Sequence, residues 1–181
     1  MTIPGDEMFN YSANRELESS AKVKALEALL IEKGVLSSSS VDKILEYFDT
    51  KMGPFNGAKL VAKAWKDPEF KKLLLSDCNL ACEQLDMPTG MSGAEGEIMR
   101  VAENTSSVHN LIICTLCSCY PWPTLGLPPY WFKDPTFRAR SALEPRVVLS
   151  EFGLELETDV EIRVWDSRGQ IRWWVLPEQP E

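Results

Sequence analysis

NTSSVHNLIICTLCSCYPWPTLGLPPYWF, residues 104–132, runs for 29 residues without one Asp, Glu, Lys or Arg. In a chain that is 25% charged, such a gap does not read as a solvated loop. The stretch is expected to be buried, either inside the fold or against a partner chain. Cys114, Cys117 and Cys119 lie within it, so burial would also shield their thiols. Leu111 to Cys114 reads as a short strand. From Tyr120 to Pro135, five prolines enforce an extended, irregular path.

Upstream, Ile98 to Glu103 is a second short strand, and Met87 to Gly96 a Gly-, Met- and Ser-rich loop. Asp67-Pro68 reads as the N-cap and first position of a helix running to about Leu85, with Cys78 and Cys82 on one face. Before it come a helix over Gly57 to Trp65, the breaker Gly53-Pro54, and a helix from Val41 to about Thr50. Ser40 or a neighbour caps that last helix after the polar loop Ser37 to Ser40. Glu16 to Lys33 carries Leu17, Ala21, Ala25, Leu26, Leu29 and Leu30 at helical spacing and ends at Gly34. The first dozen residues, without periodicity, read as an extended arm.

Downstream, Phe137 to Leu143 and Val147 to Phe152 are short helical pieces separated by Pro145. Val160, Ile162 and Val164 alternate, residues 166–169 turn, and Ile171, Trp173 and Val175 resume the alternation, which reads as a hairpin. Helices precede strands, so the fold class is α+β, with no internal repeat. Residues 1–52 form a helical N-terminal arm whose apolar stripe has little core of its own and is expected to wrap a partner. Residues 53–181 form a layered domain of short strands with helices, containing the cysteine triplet.

The 181 residues carry 27 acidic and 19 basic side chains, a formal net charge of −8, with 44% hydrophobic residues. That suits a soluble chain of one domain, or of one domain with an appended arm. No run approaches the roughly 18 apolar residues of a membrane helix, and the start lacks the pattern of a secretory signal. The acidic balance argues against nucleic-acid binding. Five cysteines, an odd count, point to a reducing compartment, the cytoplasm. With His109 as the one histidine, a multi-histidine zinc site is excluded, and a Ser-His-Asp or Cys-His enzyme would have to use His109.

Cys114, Cys117 and Cys119 put three soft thiolates within reach of one metal ion. A tetrahedral zinc would need a distant fourth ligand, such as His109, Cys78 or Cys82. The Cys117-Ser118-Cys119 step also brings backbone amides against the ion. A strongly Lewis-acidic metal could bind deprotonated amide nitrogens in a plane with two sulfurs, leaving one thiolate axial and one site open for metal-assisted hydration. The spacing favours metal binding without identifying the metal.

The stretch ENTSSVHNLIICTLCSCYPWPTLGLPPYWFKDPTFRAR (103–140) resembles the metal-claw region of the nitrile hydratase α-subunit family. The likeness extends to GPFNGAKLVAKAWKDPEF (53–70), AEGEIM (94–99) and EPRVVLSEFG through DVEIRVWDSRGQIRWWVLPEQP (144–180), nearly the whole chain from about Lys22. It implies a nitrile hydratase α-like fold, with residues 53–181 as the catalytic metal-claw domain. It also implies a low-spin cobalt(III) or iron(III), held by the sulfurs of Cys114, Cys117 and Cys119 and the backbone nitrogens of Ser118 and Cys119. Cys114 would be the axial thiolate, Cys117 a sulfinate and Cys119 a sulfenate, the last surviving only if sequestered. Thr115 and the Tyr120-Pro121 pair resemble the cobalt-type variant.

The implied reaction is nitrile hydration to an amide, a hydro-lyase activity. The metal polarises C≡N, and either the Cys119 sulfenate oxygen or an activated water attacks. Cys117 and Cys119 are thus the implied catalytic residues. The implied partners are a β-type subunit, whole or split, which supplies two arginines to the claw, and a cobalt-delivering activator protein. The family usually has Gln at the position of Glu95, near the substrate channel, and α subunits usually continue beyond the position of Glu181. Both departures suggest a specialised branch. The candidates are a toyocamycin-type nitrile hydratase, which acts on a nucleoside nitrile and is built from three different chains, and thiocyanate hydrolase. A non-enzymatic zinc or iron–sulfur module is the remaining alternative.

Thr115, Trp122 and Glu95 are the candidate substrate-pocket residues. Trp122 fits core packing equally well, and Glu95 fits a solvated loop carboxylate. Cys78 and Cys82 read as core packing, and His109 as a hydrogen-bonding residue of a strand or loop. Trp165, Trp173 and Trp174 read as hairpin core or subunit interface.

Overall fold

The computed structural model describes residues 5–90, 97–115 and 119–180, with side chains from residue 17 onward. It divides into two compact units, one up to Tyr47 and one from Phe48. In the first unit, α1 (Gly5–Glu32) begins well before the expected helix, so the residues read as an extended arm are helical from Gly5. Gly34 ends α1 at φ +69°. Its N–H donates to the Ile31 carbonyl (2.9 Å) and that of Val35 to Leu30 (2.9 Å), a Schellman closure. The cap of α2 (Ser38–Lys51) is Ser37, whose hydroxyl accepts the Ser40 N–H at 3.2 Å, so this helix starts three residues before the expected Val41. Leu17, Val23, Leu26, Leu29 and Val35 are exposed.

The second unit is built from local stops and starts. Pro54 opens α3 (Pro54–Lys66), and Asp67 caps α4 (Pro68–Ser76) by accepting the N–H groups of Glu69 (3.1 Å) and Phe70 (3.0 Å). The expected continuous helix to Leu85 is broken at Asp77. Its side chain accepts the Leu80 N–H (3.0 Å) while its backbone is extended, and α5 (Cys78–Glu83) starts anew.

Four strands follow: β1 (Ile98–Glu103), β2 (Val108–Ile113), β3 (Glu161–Asp166) and β4 (Ile171–Leu176). The C-terminal pair is not a hairpin. β4 runs parallel to β1, Ile98 opposite Ile171, and β3 runs parallel to β2, Ile113 opposite Asp166. The turns β1–β2 and β3–β4 are each closed by reciprocal bonds, Thr105 with Val108 and Arg168 with Ile171, before their strands part to different partners. Ser167 makes the parting. Its N–H donates to the Ile113 carbonyl (2.7 Å) and its hydroxyl accepts from the Trp173 N–H (2.9 Å). Trp165 and Trp173 stack across this corner with centroids 4.3 Å apart.

Two one-turn helices replace the expected irregular path of the proline-rich segment: α6 (Trp122–Leu125) and a 3₁₀ turn (Tyr130–Lys133). Then come α7 (Pro135–Leu143) and α8 (Pro145–Glu151). Helices α4 and α5 pack on β1, α7 on β2 and α8 on β3, while the strand pairs meet through β2 and β4. The order is therefore helix, sheet, sheet, helix, an α+β fold. One apolar cluster, with Leu60, Leu74, Met99, Trp174 and Leu176, lies under α3 to α5. The other, with Ile113, Cys114, Cys119, Phe132, Phe137 and Val148, lies under α7 and α8. Each fully buried Leu contributes roughly 1.5–3 kcal/mol. Among the described residues, no helix is long and apolar enough to cross a membrane.

Candidate metal centre

β2 delivers Cys114 into the second cluster one residue past its end, and three consecutive residues are gripped there. The Ile113 carbonyl accepts from Ser167 N–H (2.7 Å). The Cys114 carbonyl accepts from Arg138 Nη1 on α7 (3.3 Å). Thr115 donates twice to the Asp166 carboxylate, its N–H to Oδ1 (2.9 Å) and its hydroxyl to Oδ2 (2.6 Å). The chain comes back at Cys119, whose N–H points at Cys114 Sγ, 3.5 Å away. Both cysteines are buried.

The return path is fixed by packing. Tyr120 meets Phe132 edge-on at 5.0 Å, and burial pushes its phenol up. Pro121 and Pro123 are buried, and the Thr124 hydroxyl, also buried, donates to the Pro121 carbonyl at 3.2 Å. Helix α6 lies on α3 so closely that a Cβ on Gly57 would sit 2.5 Å from the Thr124 carbonyl oxygen. Asn56 adds a side-chain N–H to the Pro123 carbonyl (2.9 Å). The GPFNGAK motif thus supports the segment that follows the cysteines.

Of the expected site residues, Cys114, Thr115 and Cys119 are together. Cys117, Ser118 and Glu95 lie outside the described residues. Trp122 is half-buried at the start of α6 and packs edge-on against Phe48 at 5.5 Å. A cleft of about 310 Å³ opens beside the loop, lined by Thr115, Pro135, Arg138, Ala139 and Ala142. A larger cleft of about 390 Å³ at Trp65, Lys71 and Glu103 includes none of the cysteines.

The described residues of the charge-free stretch are mostly buried or half-buried, but its turn at Thr105, Ser106 and Ser107 is exposed, as are Thr115, Leu127 and Tyr130. Nor do charged groups stay away from the loop: Asp166 and Arg138 grip its first residues. Both were missed in sequence. Asp166 read as the first residue of a turn, and nothing local links it to Thr115, 51 positions away. Cys78 and Cys82 are core residues of the first cluster, and Trp174 Nε1 donates to Cys78 Sγ at 3.4 Å. His109 Nδ1 pairs with the Asn104 side-chain amide at 3.2 Å, the hydrogen-bonding role expected of it.

Two buried cysteines brought into contact by a six-residue loop, with a third cysteine between them in sequence, fit a soft, thiolate-binding metal. A family profile described as "Nitrile hydratase, alpha chain" matches residues 17–181.

The chain belongs to the nitrile hydratase α-chain family.

Within that family, the low-molecular-weight cobalt-containing nitrile hydratase subunit α of Rhodococcus rhodochrous is 52% identical over 163 residues, 90% of this chain and 77% of that subunit. The thiocyanate hydrolase subunit γ of Thiobacillus thioparus is 40% identical, over 87% of this chain and 67% of its own length. Among solved structures, a double mutant of the Fe-type nitrile hydratase from Comamonas testosteroni Ni1 superposes with a TM-score of 0.82 at 38% identity, covering 91% of this chain and 79% of that one. The helix–sheet–sheet–helix order is thus shared with this structural neighbour.

Proposed function

We propose that this chain is the metal-binding catalytic subunit of a nitrile hydratase, converting a nitrile to its amide. The observation that carries the reading is the buried meeting of Cys114 and Cys119, in a chain 52% identical to a cobalt-containing subunit. The sulfurs of Cys114, Cys117 and Cys119 and the backbone nitrogens of Ser118 and Cys119 would hold low-spin cobalt(III), Cys117 as a sulfinate and Cys119 as a sulfenate. Identity to the cobalt relative exceeds that to the Fe-type structure, which favours cobalt over iron. When bound, the ion would supply a Lewis acid that polarises C≡N towards hydration.

The chain's own residues supply position and dryness. Cys114 is held through its backbone, and Ile113, Phe132, Phe137 and Val148 exclude water from the rear of the loop. Thr115 turns its hydroxyl to Asp166, and Thr115, Trp122 and Glu95 are proposed as pocket residues. Glu95 is the feature that suggests a nucleoside nitrile as substrate. The exposed apolar residues of α1 support the arm, residues 1–52, as a surface for a β-type subunit, whole or split. A cobalt-delivering activator and a cytoplasmic setting complete the proposal. The 40% identity to a thiocyanate hydrolase subunit supports thiocyanate as the second candidate substrate.

Two measurements on the complex purified from its host test this. Intact mass and metal analysis of the chain are expected to show stoichiometric cobalt and about three added oxygens on the loop peptide, two for a sulfinate and one for a sulfenate. Unmodified thiols with stoichiometric zinc would overturn the reading. Assays with aliphatic nitriles, a nucleoside nitrile and thiocyanate then assign the substrate, with Glu95→Gln expected to shift the range.

A further inference from the structure

We propose that Asp166 and Arg138 are positioning residues for the metal loop, gripping the backbone around Cys114 so that its sulfur is presented in one orientation. This rests on the reading above that the loop holds a metal. The parallel β2–β3 ladder pairs Ile113 with Asp166, and Ser167 bonds the Ile113 carbonyl, so the register itself brings the Asp166 carboxylate to the next-but-one residue, Thr115. The grip there is two-pronged: Oδ1 takes the Thr115 N–H at 2.9 Å and Oδ2 its hydroxyl at 2.6 Å. Both are charge-assisted bonds, and two of them fix a direction as one would not.

From α7, Arg138 Nη1 donates to the Cys114 carbonyl at 3.3 Å. Cys114 is therefore held by a strand before it, a guanidinium on its own carbonyl and a carboxylate on the residue after it. Every one of these bonds goes to backbone or to Thr115, and the Cys114 Sγ itself accepts from the Cys119 N–H at 3.5 Å. Groups behind a ligand that fix its orientation typically govern metal affinity by 10–100-fold.

The test uses the full chain, reduced and anaerobic, titrated with Co(II). It reads the thiolate-to-cobalt charge-transfer spectrum and the rate at which a chelator strips the metal, with the urea midpoint measured alongside. Asp166→Ala is expected to shift the spectrum and release cobalt roughly 10–100-fold faster. Asp166→Asn is expected to stay near the parent chain, because its carbonyl still accepts the Thr115 N–H and its amide can donate to a turned hydroxyl. Thr115→Val, losing one prong, should release cobalt a few-fold faster, as should Arg138→Leu. If Asp166→Ala does not fold, the Thr115→Val and Arg138→Leu variants still decide.

Parent-like release and spectra in Asp166→Ala, or in Thr115→Val and Arg138→Leu together, would overturn the proposal. So would an Asp166→Asn as impaired as the alanine variant, since charge and not direction would then matter. Absence of a charge-transfer band in the parent chain would bring down the metal reading and this inference with it.

Discussion

Cys78 and Cys82 are 1% and 0% exposed, Cys114 and Cys119 0% and 5%, so burial alone does not separate the two pairs. Their backbones do. Cys78 and Cys82 sit one turn apart on α5, among Leu60, Leu74 and Met99, where a hydrogen bond to Cys78 and burial hold the Cys82 thiol protonated well above the ordinary range. A protonated thiol in an apolar cluster behaves as a small hydrophobe. Cys114 and Cys119 are on the two ends of a loop, and their surroundings supply N–H groups, a guanidinium and a carboxylate within reach of the backbone. The difference teaches that a buried cysteine's role follows from what holds its main chain.

Serine substitution should break the symmetry most sharply. Cys114→Ser or Cys119→Ser is expected to lower cobalt retention by more than about 100-fold, since on the proposed function a ligand is removed rather than a group behind one. Cys78→Ser should leave cobalt uptake unchanged and cost about 1–3 kcal/mol of stability by placing a hydroxyl in an apolar cluster. Metal analysis beside urea unfolding separates the two effects. A Cys78→Ser chain that folds but takes up no cobalt would erase the contrast.

The two clusters also differ in what a cavity does. Leu74, fully buried beneath α4, is expected to cost 2–5 kcal/mol as Leu74→Ala, roughly the range for such truncations, with the cobalt spectrum intact. Gly57→Ala should cost less, about 1–3 kcal/mol for overpacking, yet disturb the spectrum. Its Cβ strikes the Thr124 carbonyl in α6, five residues after Cys119. Urea midpoints and charge-transfer bands on the same samples test whether the smaller destabilisation does the greater damage to the site.

What could be read beforehand followed locality. Asp67-Pro68 announced α4, and Gly34 the end of α1, because cap chemistry is written in adjacent residues. The meeting of Cys114 and Cys119 could be anticipated because the two are only five positions apart in sequence. Strand pairing was not. Alternation of period two says which face of 160–175 is buried, and is the same whether β3 and β4 pair with each other or with β2 and β1. The grip of Asp166 on Thr115 was hidden with it, for it exists only once β3 lies beside β2. The prolines of 121–135 read as extended chain, although proline is at home in a helix's first turn, which is where Pro123 and Pro135 stand.

The smallest expected effect distinguishes the strand that feeds the loop from the first cluster, through pH. His109, on β2, is the chain's one histidine, and burial pushes it below its usual range. The Asn104 amide donating to Nδ1 suits the neutral ring. In the unfolded chain the ring protonates near pH 6.5. Between that value and its lower folded one, the unfolded state binds more protons, so stability falls as pH falls through this window. The carboxylates held low, Asp67 by the Phe70 N–H and Glu151 and Glu161 by their arginine partners, lose their contribution at lower pH, beneath the ordinary values of 3.8 for Asp and 4.5 for Glu. Urea midpoints from pH 7.5 to 5.5 should therefore decline in the parent chain and flatten in His109→Gln. Parallel declines would place the pH dependence elsewhere and leave β2 as insensitive to protons as the histidine-free first cluster.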